Sequence, residues 1–232
     1  MKRIVRFIKK TLKWIVVAFF ASTILSVVMF RFLPVFVTPL MVIRCYEQLK
    51  EGKDLKLSHD WVSLSEISPS LPVAVIASED GKFIEHHGFD YKAIEHAAKR
   101  NREHPEKRKL GASTISQQTA KNVFLWPGRS WVRKGFEVYF TTLIELLWSK
   151  QRIMEVYLNS IEMGDGIYGA QAVAEEHFHK DAKDLTRSEC ALIAATLPNP
   201  RKFSSKSPSS YMLKRQSRIL KEMKYVGEFP MK

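Results

Sequence analysis

The 232 residues are 45% hydrophobic, enough for one domain of about 190 residues plus an extra segment and too much for a disordered chain. Two cysteines, Cys45 and Cys190, exclude a disulfide framework and a zinc-binding spacing. The 37 basic against 24 acidic residues give a net charge of +13, which points to anionic partners: phosphates, nucleic acid or a lipid surface.

The chain opens with six basic residues, Lys2, Arg3, Arg6, Lys9, Lys10 and Lys13, and no acid among them. Trp14–Phe30 then runs for 17 residues without a charge, the short end of what spans a bilayer. A cleaved signal has a shorter apolar region, about 7–15 residues, and small residues at its cleavage site, which are missing here. The expectation is a retained anchor. Basic residues stay on the cytoplasmic side, so residues 1–13 face the cytoplasm and the rest faces outward.

Apolar character returns in Phe32–Ile43, where Pro34 and Pro39 argue against a second straight span. The segment reads as lying along the outer leaflet or packed on the domain. Tyr46–Ser68 is polar, without a clear period, and reads as a linker. The expected organisation is therefore a basic segment (1–13), a transmembrane anchor (14–30), a membrane-proximal lead-in (31–67) and a domain (68–232).

The domain begins with a short helix predicted from Ser70 as its cap, with Pro72 in the first turn. Val75, Ile76 and Glu79 share a face. Glu79 thus extends an apolar stripe at the helix C-terminus, and both burial and the dipole there raise a carboxyl pKa. The position suits either a polar cap or a general base in a half-buried cleft. In the loop GKFIEHHGFD that follows, His86 and His87 read as structural histidines rather than metal ligands. Tyr91–Arg100 reads as a helix and Arg100–Lys109 as an exposed, mobile loop.

Leu110–Asn122, LGASTISQQTAKN, is dense in hydrogen-bonding side chains: Ser113, Thr114, Ser116, Gln117 and Gln118, closed by Lys121 and Asn122. Such density suits a surface that grips sugar or phosphate oxygens. It equally suits a loop that caps a helix N-terminus. After the turn at Pro127-Gly128, Ser130 caps a predicted helix from Trp131 to about Trp148. Its core stripe is Phe136, Phe140, Leu143, Ile144 and Leu147. Glu137 flanks that stripe within a turn of Arg133 and Lys134, as an ion pair or as a site residue. KQRIMEVYLN reads as another helix. The three glycines of EMGDGIYGA suit a tight loop approaching a ligand or another backbone. Helices at about Ala170–Phe178 and Ser188–Leu197 follow, the second with a capping box of Thr186 and Glu189. The tail beyond Pro200 is basic, Ser-rich and expected at the surface. The whole reads as mainly α.

Taken together, EDGKFIEHHG, GASTISQQTAKN, RKGFE and KQRIMEVYLN resemble, in order and spacing, the blocks of the peptidoglycan glycosyltransferase domain of class A penicillin-binding proteins. The resemblance covers about Ser68–Pro200, with Gly111-Ala112 where many members have two glycines and Ser116 where Thr is usual. Length and a single anchor resemble the monofunctional members, and no S-x-x-K nucleophile motif of a transpeptidase occurs. The resemblance implies a mainly α, lysozyme-like, two-lobed domain that polymerises lipid II into β-1,4-linked strands with inversion, releasing undecaprenyl pyrophosphate. It implies Glu79 as the base and Glu137 as a catalytic assistant on the donor side. Lys121, Arg129 and Arg133 would stabilise the pyrophosphate, and Ser113, Thr114, Gln117, Gln118 and Asn122 would position oxygens. Asp80, Phe83 and His86 would shape the first block.

The implied partners are lipid II, the growing lipid-linked strand, the membrane and other cell-wall synthesis proteins, not nucleic acid. The implied location is the bacterial inner membrane, single-pass, with a periplasmic domain. No cofactor is required; a divalent cation, Mg or Mn, stimulates some members. A membrane-anchored hydrolase or lytic transglycosylase with the same fold also uses two carboxylates, but needs no cationic cradle for a neutral leaving group. A non-enzymatic anchored scaffold is the third reading.

Overall fold

A computed structural model describes residues 2–107, 109–128 and 130–231 of the chain. Two compact units divide it, one up to Pro34 and one from Val35 onward.

The first unit is a single helix, α1 (Lys2–Phe30). Arg3–Phe30 has a mean hydropathy of 2.1 over its most apolar window, long and apolar enough to cross a membrane. The basic segment and the uncharged run are one continuous helix, with no break at residue 13. Ser22, Thr23 and Ser26 return their hydroxyls to carbonyls one turn back, so these three polar groups are satisfied within the helix.

The second unit begins with α2 (Pro39–Lys50). Thr38 caps it and Pro39 takes its first position, where a missing N–H costs nothing. Pro39 therefore starts a helix rather than interrupting one. Leu40 and Met41 are buried in a cluster with Tyr168. The expected domain start at residue 68 thus lies inside this unit. Strand β1 (Ser58–His59) pairs in parallel with β3 (Ile167–Tyr168), which pairs antiparallel with β2 (Glu162–Gly164).

The rest is helical: α3 (Ser70–Glu79), α4 (Tyr91–Glu103), α5 (Ile115–Phe124), α6 (Trp131–Leu147), α7 (Lys150–Ser160), α8 (Ala170–Phe178), α9 (Arg187–Thr196) and α10 (Ser210–Val226). The mainly α expectation holds. Helix α3 is buried on every side from Leu71 to Ile76, not on one stripe, which marks it as the central element. Pro69 rather than Ser70 stands at its N-cap position. Helix α4 runs on to Glu103, so the expected loop shortens to His104–Leu110, within which Arg108 lies outside the described residues.

The basic tail is corrected most. Ser209 caps α10, and Met212, Ile219 and Met223 are buried against α3 and α9. In the glycine loop, Gly166 and Gly169 have φ of +70° and +84°. A Cβ there would meet the Lys56 and Asn159 carbonyl oxygens at 2.5 and 2.7 Å. Of the two options, the glycines serve approach to another backbone.

Candidate active site

Helix α3 ends on Glu79, whose side chain is 15% exposed. Its Oε2 accepts from Gln118 Nε2 at 3.1 Å and its Oε1 from Ser78 Oγ at 3.1 Å. Gln118 Oε1 in turn accepts from the Tyr157 hydroxyl at 3.2 Å, which fixes the amide so that its NH2 faces the carboxylate. Arg215 of α10 approaches Glu79 Oε1 at 3.6 Å while donating to Ser78 Oγ at 3.0 Å. Burial raises the Glu79 pKa above the usual carboxylate range, against the smaller opposing pull of Gln118, Ser78 and Arg215. The raised pKa expected from the sequence is found, and burial is its cause.

Asp80 beside it does structural work. Its carboxylate accepts from His86 Nε2 at 2.9 Å and from the Ile115 amide, at the N-terminus of α5, at 3.0 Å. This bond ties the loop after α3 to the helix that carries Gln118. Phe83 is fully buried below, with the Lys150 ammonium 4.5 Å from its ring centre. Lys150 also pairs with Glu145, which accepts from Ser116. Gly88, at φ +86°, lies against Thr141 and Glu145, so the first-block loop packs directly on α6.

The polar stretch 110–122 divides between the two roles its composition allowed. Thr114 is the N-cap of α5, and with Gln117 it forms a reciprocal capping box. Thr114 also donates to the Gly88 carbonyl at 2.7 Å, so its hydroxyl is spent within the fold. Ser113, Gln117, Gln118, Lys121 and Asn122 line a cleft of about 510 Å³. Thr114 does not line it. Asn122 is 4% exposed, and its Nδ2 has no partner.

Facing them, α6 contributes Arg133, Lys134 and Glu137 to the same cleft. The buried line of this helix is Arg133, Glu137, Phe140, Thr141 and Ile144, so Glu137 lies on the stripe rather than beside it. Arg133 Nη1 donates to Glu137 Oε2 at 2.8 Å, and Lys134 contacts Oε1. Lys121 is pulled below its usual pKa by burial, partly offset by Glu137 and, more weakly, by Glu79. Lys121 therefore senses both carboxylates. Three cations and one carboxylate meet here, a local surplus of positive charge in a semi-enclosed space. Such a site favours a multiply charged anion, because buried charges persist only when paired.

Among the described residues, no three His, Cys, Asp or Glu side chains gather as a metal-binding group. Three histidines bond within the fold: His59 with the Asn159 carbonyl, His86 with Asp80 and His177 with Ser205. Cys45 and Cys190 are free, and burial pushes the Cys190 thiol up to about 12. Arg129 lies outside the described residues.

Sequence reasoning did not select Lys134, Arg215, Arg44 or Glu162. Lys134 was within reach, three residues before Glu137. Arg44 and Glu162 come from α2 and β2 to line the cleft with the others.

Comparison with known proteins is consistent along the chain. The profile of the transglycosylase family matches residues 47–224. A biosynthetic peptidoglycan transglycosylase of Bacteroides thetaiotaomicron is 63% identical over 226 residues, covering 96% of this chain and 90% of that protein. Proteins of the same name from Bdellovibrio bacteriovorus and Escherichia coli are 55% and 52% identical, covering 90% and 88% of this chain and 84% and 85% of their own lengths.

Proposed function

The chain belongs to the transglycosylase family and is a peptidoglycan glycosyltransferase, and from that premise we propose how its residues divide the reaction. The substrate is lipid II, and the product is a β-1,4-linked glycan strand. The 4-hydroxyl of an incoming lipid II attacks the anomeric carbon of the growing strand. Glu79 takes the hydroxyl proton as the new C–O bond forms. The C–O bond to the diphosphate breaks, and its electron pair leaves with undecaprenyl pyrophosphate. Attack opposite the leaving group inverts the centre.

Burial supports Glu79 in this role, because a base works best with a pKa near the working pH. Gln118 holds its carboxylate, and Arg215 limits how far the pKa rises. Lys121, Arg133 and Lys134 stabilise the charge growing on the departing diphosphate. Glu137 holds Arg133 and Lys134 in position for it. Ser113, Gln117, Gln118 and Asn122 offer hydrogen bonds to sugar and phosphate oxygens. Arg129 lies outside the described residues, and its part in stabilising the diphosphate rests on the family resemblance alone. In this reading no cofactor is required, and a divalent cation, Mg or Mn, is at most stimulatory.

The observation that carries this reading is the surplus of positive charge in the cleft, whose lining residue Gln118 holds the desolvated Glu79, itself outside the lining. A neutral leaving group would not call for it. Helix α1 anchors the enzyme in the bacterial inner membrane, with its basic end cytoplasmic and the domain periplasmic, where lipid-linked substrate is at hand.

The test is product analysis: purified full-length protein in detergent, given lipid II, should yield a ladder of glycan strands on a gel. Release of reducing ends from finished wall, with no strand growth, would replace the synthase by a hydrolase.

A further inference from the structure

Tyr157 stands behind the base with no part yet in the reaction. It is 1% exposed on α7, which packs against α5, and its hydroxyl lies 3.2 Å from Gln118 Oε1. A phenol buried this deeply needs a partner for its O–H. Gln118 Nε2 in turn lies 3.1 Å from Glu79 Oε2. Three helices, α7, α5 and α3, thus place a phenol, an amide and a carboxylate in one line.

The direction of that line follows from the chemistry of its members. An ionised carboxylate only accepts, so the amide must turn an N–H toward Glu79. The amide oxygen is then left for Tyr157, and because a carbonyl oxygen only accepts, the phenol must donate. Both donors therefore point at Glu79, and each polarises the next. A reversed amide would set its oxygen against a carboxylate oxygen, and would hold only with Glu79 protonated and donating. The orientation of Gln118 is tied to the charge on the base.

The charged and titratable groups facing Glu79 are Arg215 of α10, Asp80 next in the chain, Lys121 of α5 and Tyr157 of α7. Arg215 and Lys121 favour the ionised carboxyl, and Asp80 opposes it. Arg215 and Ser78 serve Oε1, whereas Oε2 has Gln118. Gln118 also lines the cleft, where sugar and phosphate oxygens compete for its N–H groups. Burial holds the Tyr157 phenol protonated well above its ordinary range, so it stays a donor at any working pH.

Resting on the polymerisation reading, we propose that Tyr157 is a positioning residue for the base: its hydroxyl locks the Gln118 amide with an N–H toward Glu79, and so keeps that carboxylate ionised and in place. With its oxygen spent on Tyr157, Gln118 meets the substrate as a donor.

The experiment records strand synthesis from lipid II against pH for full-length wild type and Tyr157→Phe. Loss of one hydrogen bond in the chain should move the acid limb of the rate profile up by about 0.7 pH unit, which is a rate about five-fold lower on that limb. The two profiles should meet at higher pH, with KM for lipid II within about two-fold of wild type. Carbon-13 NMR of labelled carboxyl groups, with Glu79→Gln to assign the signal, should show the Glu79 midpoint rising by the same amount without substrate. In a Gln118→Met background, Tyr157→Phe should shift neither readout further. An unmoved midpoint, a loss of rate equal at every pH, or a shift that survives in Gln118→Met overturns the proposal. A midpoint that moves while the limb stays also overturns it, and locates the failure in the assignment of Glu79 as base. Should Tyr157→Phe not fold, Gln118→Met alone must raise the midpoint, and an unchanged midpoint there is equally fatal.

Discussion

Glu79 and Glu137 are both buried glutamates, yet their surroundings differ in kind. Glu137 has Arg133 at 2.8 Å and Lys134 in contact, both from its own helix. Glu79 has amide and hydroxyl donors, and a guanidinium 3.6 Å away from a different helix. One carboxylate is compensated by charge and the other by neutral hydrogen bonds. On the proposed reading, Glu79 exchanges the proton and Glu137 is the counter-charge that keeps two cations in place.

Removing the base should have the largest effect. Glu79→Gln keeps size and one acceptor oxygen but cannot take a proton, so strand synthesis should fall by about 10²–10⁴-fold. Circular dichroism and melting temperature should stay near wild type. A normal rate in this variant would break the comparison at its first limb. Lys121→Met comes next. Losing one donor to the developing diphosphate charge should lower turnover by about 10²–10³-fold, read from initial rates with saturating lipid II.

Glu137→Gln separates the two carboxylates more sharply. It strands Arg133, whose side chain is 11% exposed, without its charge partner. Breaking one half of a buried pair typically costs about 3–5 kcal/mol, and the exposure of Lys134 places this case at the lower end. The expected result is a clear drop in melting temperature, with activity reduced less than in Glu79→Gln. A variant as stable as wild type and fully inactive would instead make Glu137 a reacting group.

How much of this was readable beforehand follows from distance along the chain. Two caps were legible because they are local: Ser130 with Arg133, and Thr186 with Glu189, lie within one turn, whereas Ser70 gave its N-cap place to Pro69. Glu137 and its cations were legible for the same reason, at spacings of three and four. Arg215 was not, because its contact with Ser78 spans 137 residues, and Met212, Ile219 and Met223 are diluted by the lysines and arginines between them. Thr114 could not be separated from the substrate contacts, because a hydroxyl that caps a helix and one that grips a sugar have the same composition. Arg44 and Glu162 were equally hidden, since they meet only through the fold.

The smallest effect tests the physical origin of the contrast. Glu79 has its folded pKa raised by burial, so between its ordinary value of 4.5 and the raised value the folded chain holds a proton that the unfolded chain has lost. With more protons bound in the native state, wild-type stability must fall as pH rises through that window and then level off. Glu79→Gln carries no such proton and lacks this fall. Its melting temperature relative to wild type should therefore climb from acid to neutral pH. In the same window, wild-type strand synthesis should rise with pH as the base ionises, so stability and activity move in opposite directions. Lys121, held below its ordinary value by burial, should set the alkaline limb of the rate profile below that of a free lysine. If the melting-temperature difference between wild type and Glu79→Gln is flat with pH, Glu79 is not desolvated, and its difference from Glu137 is one of position alone.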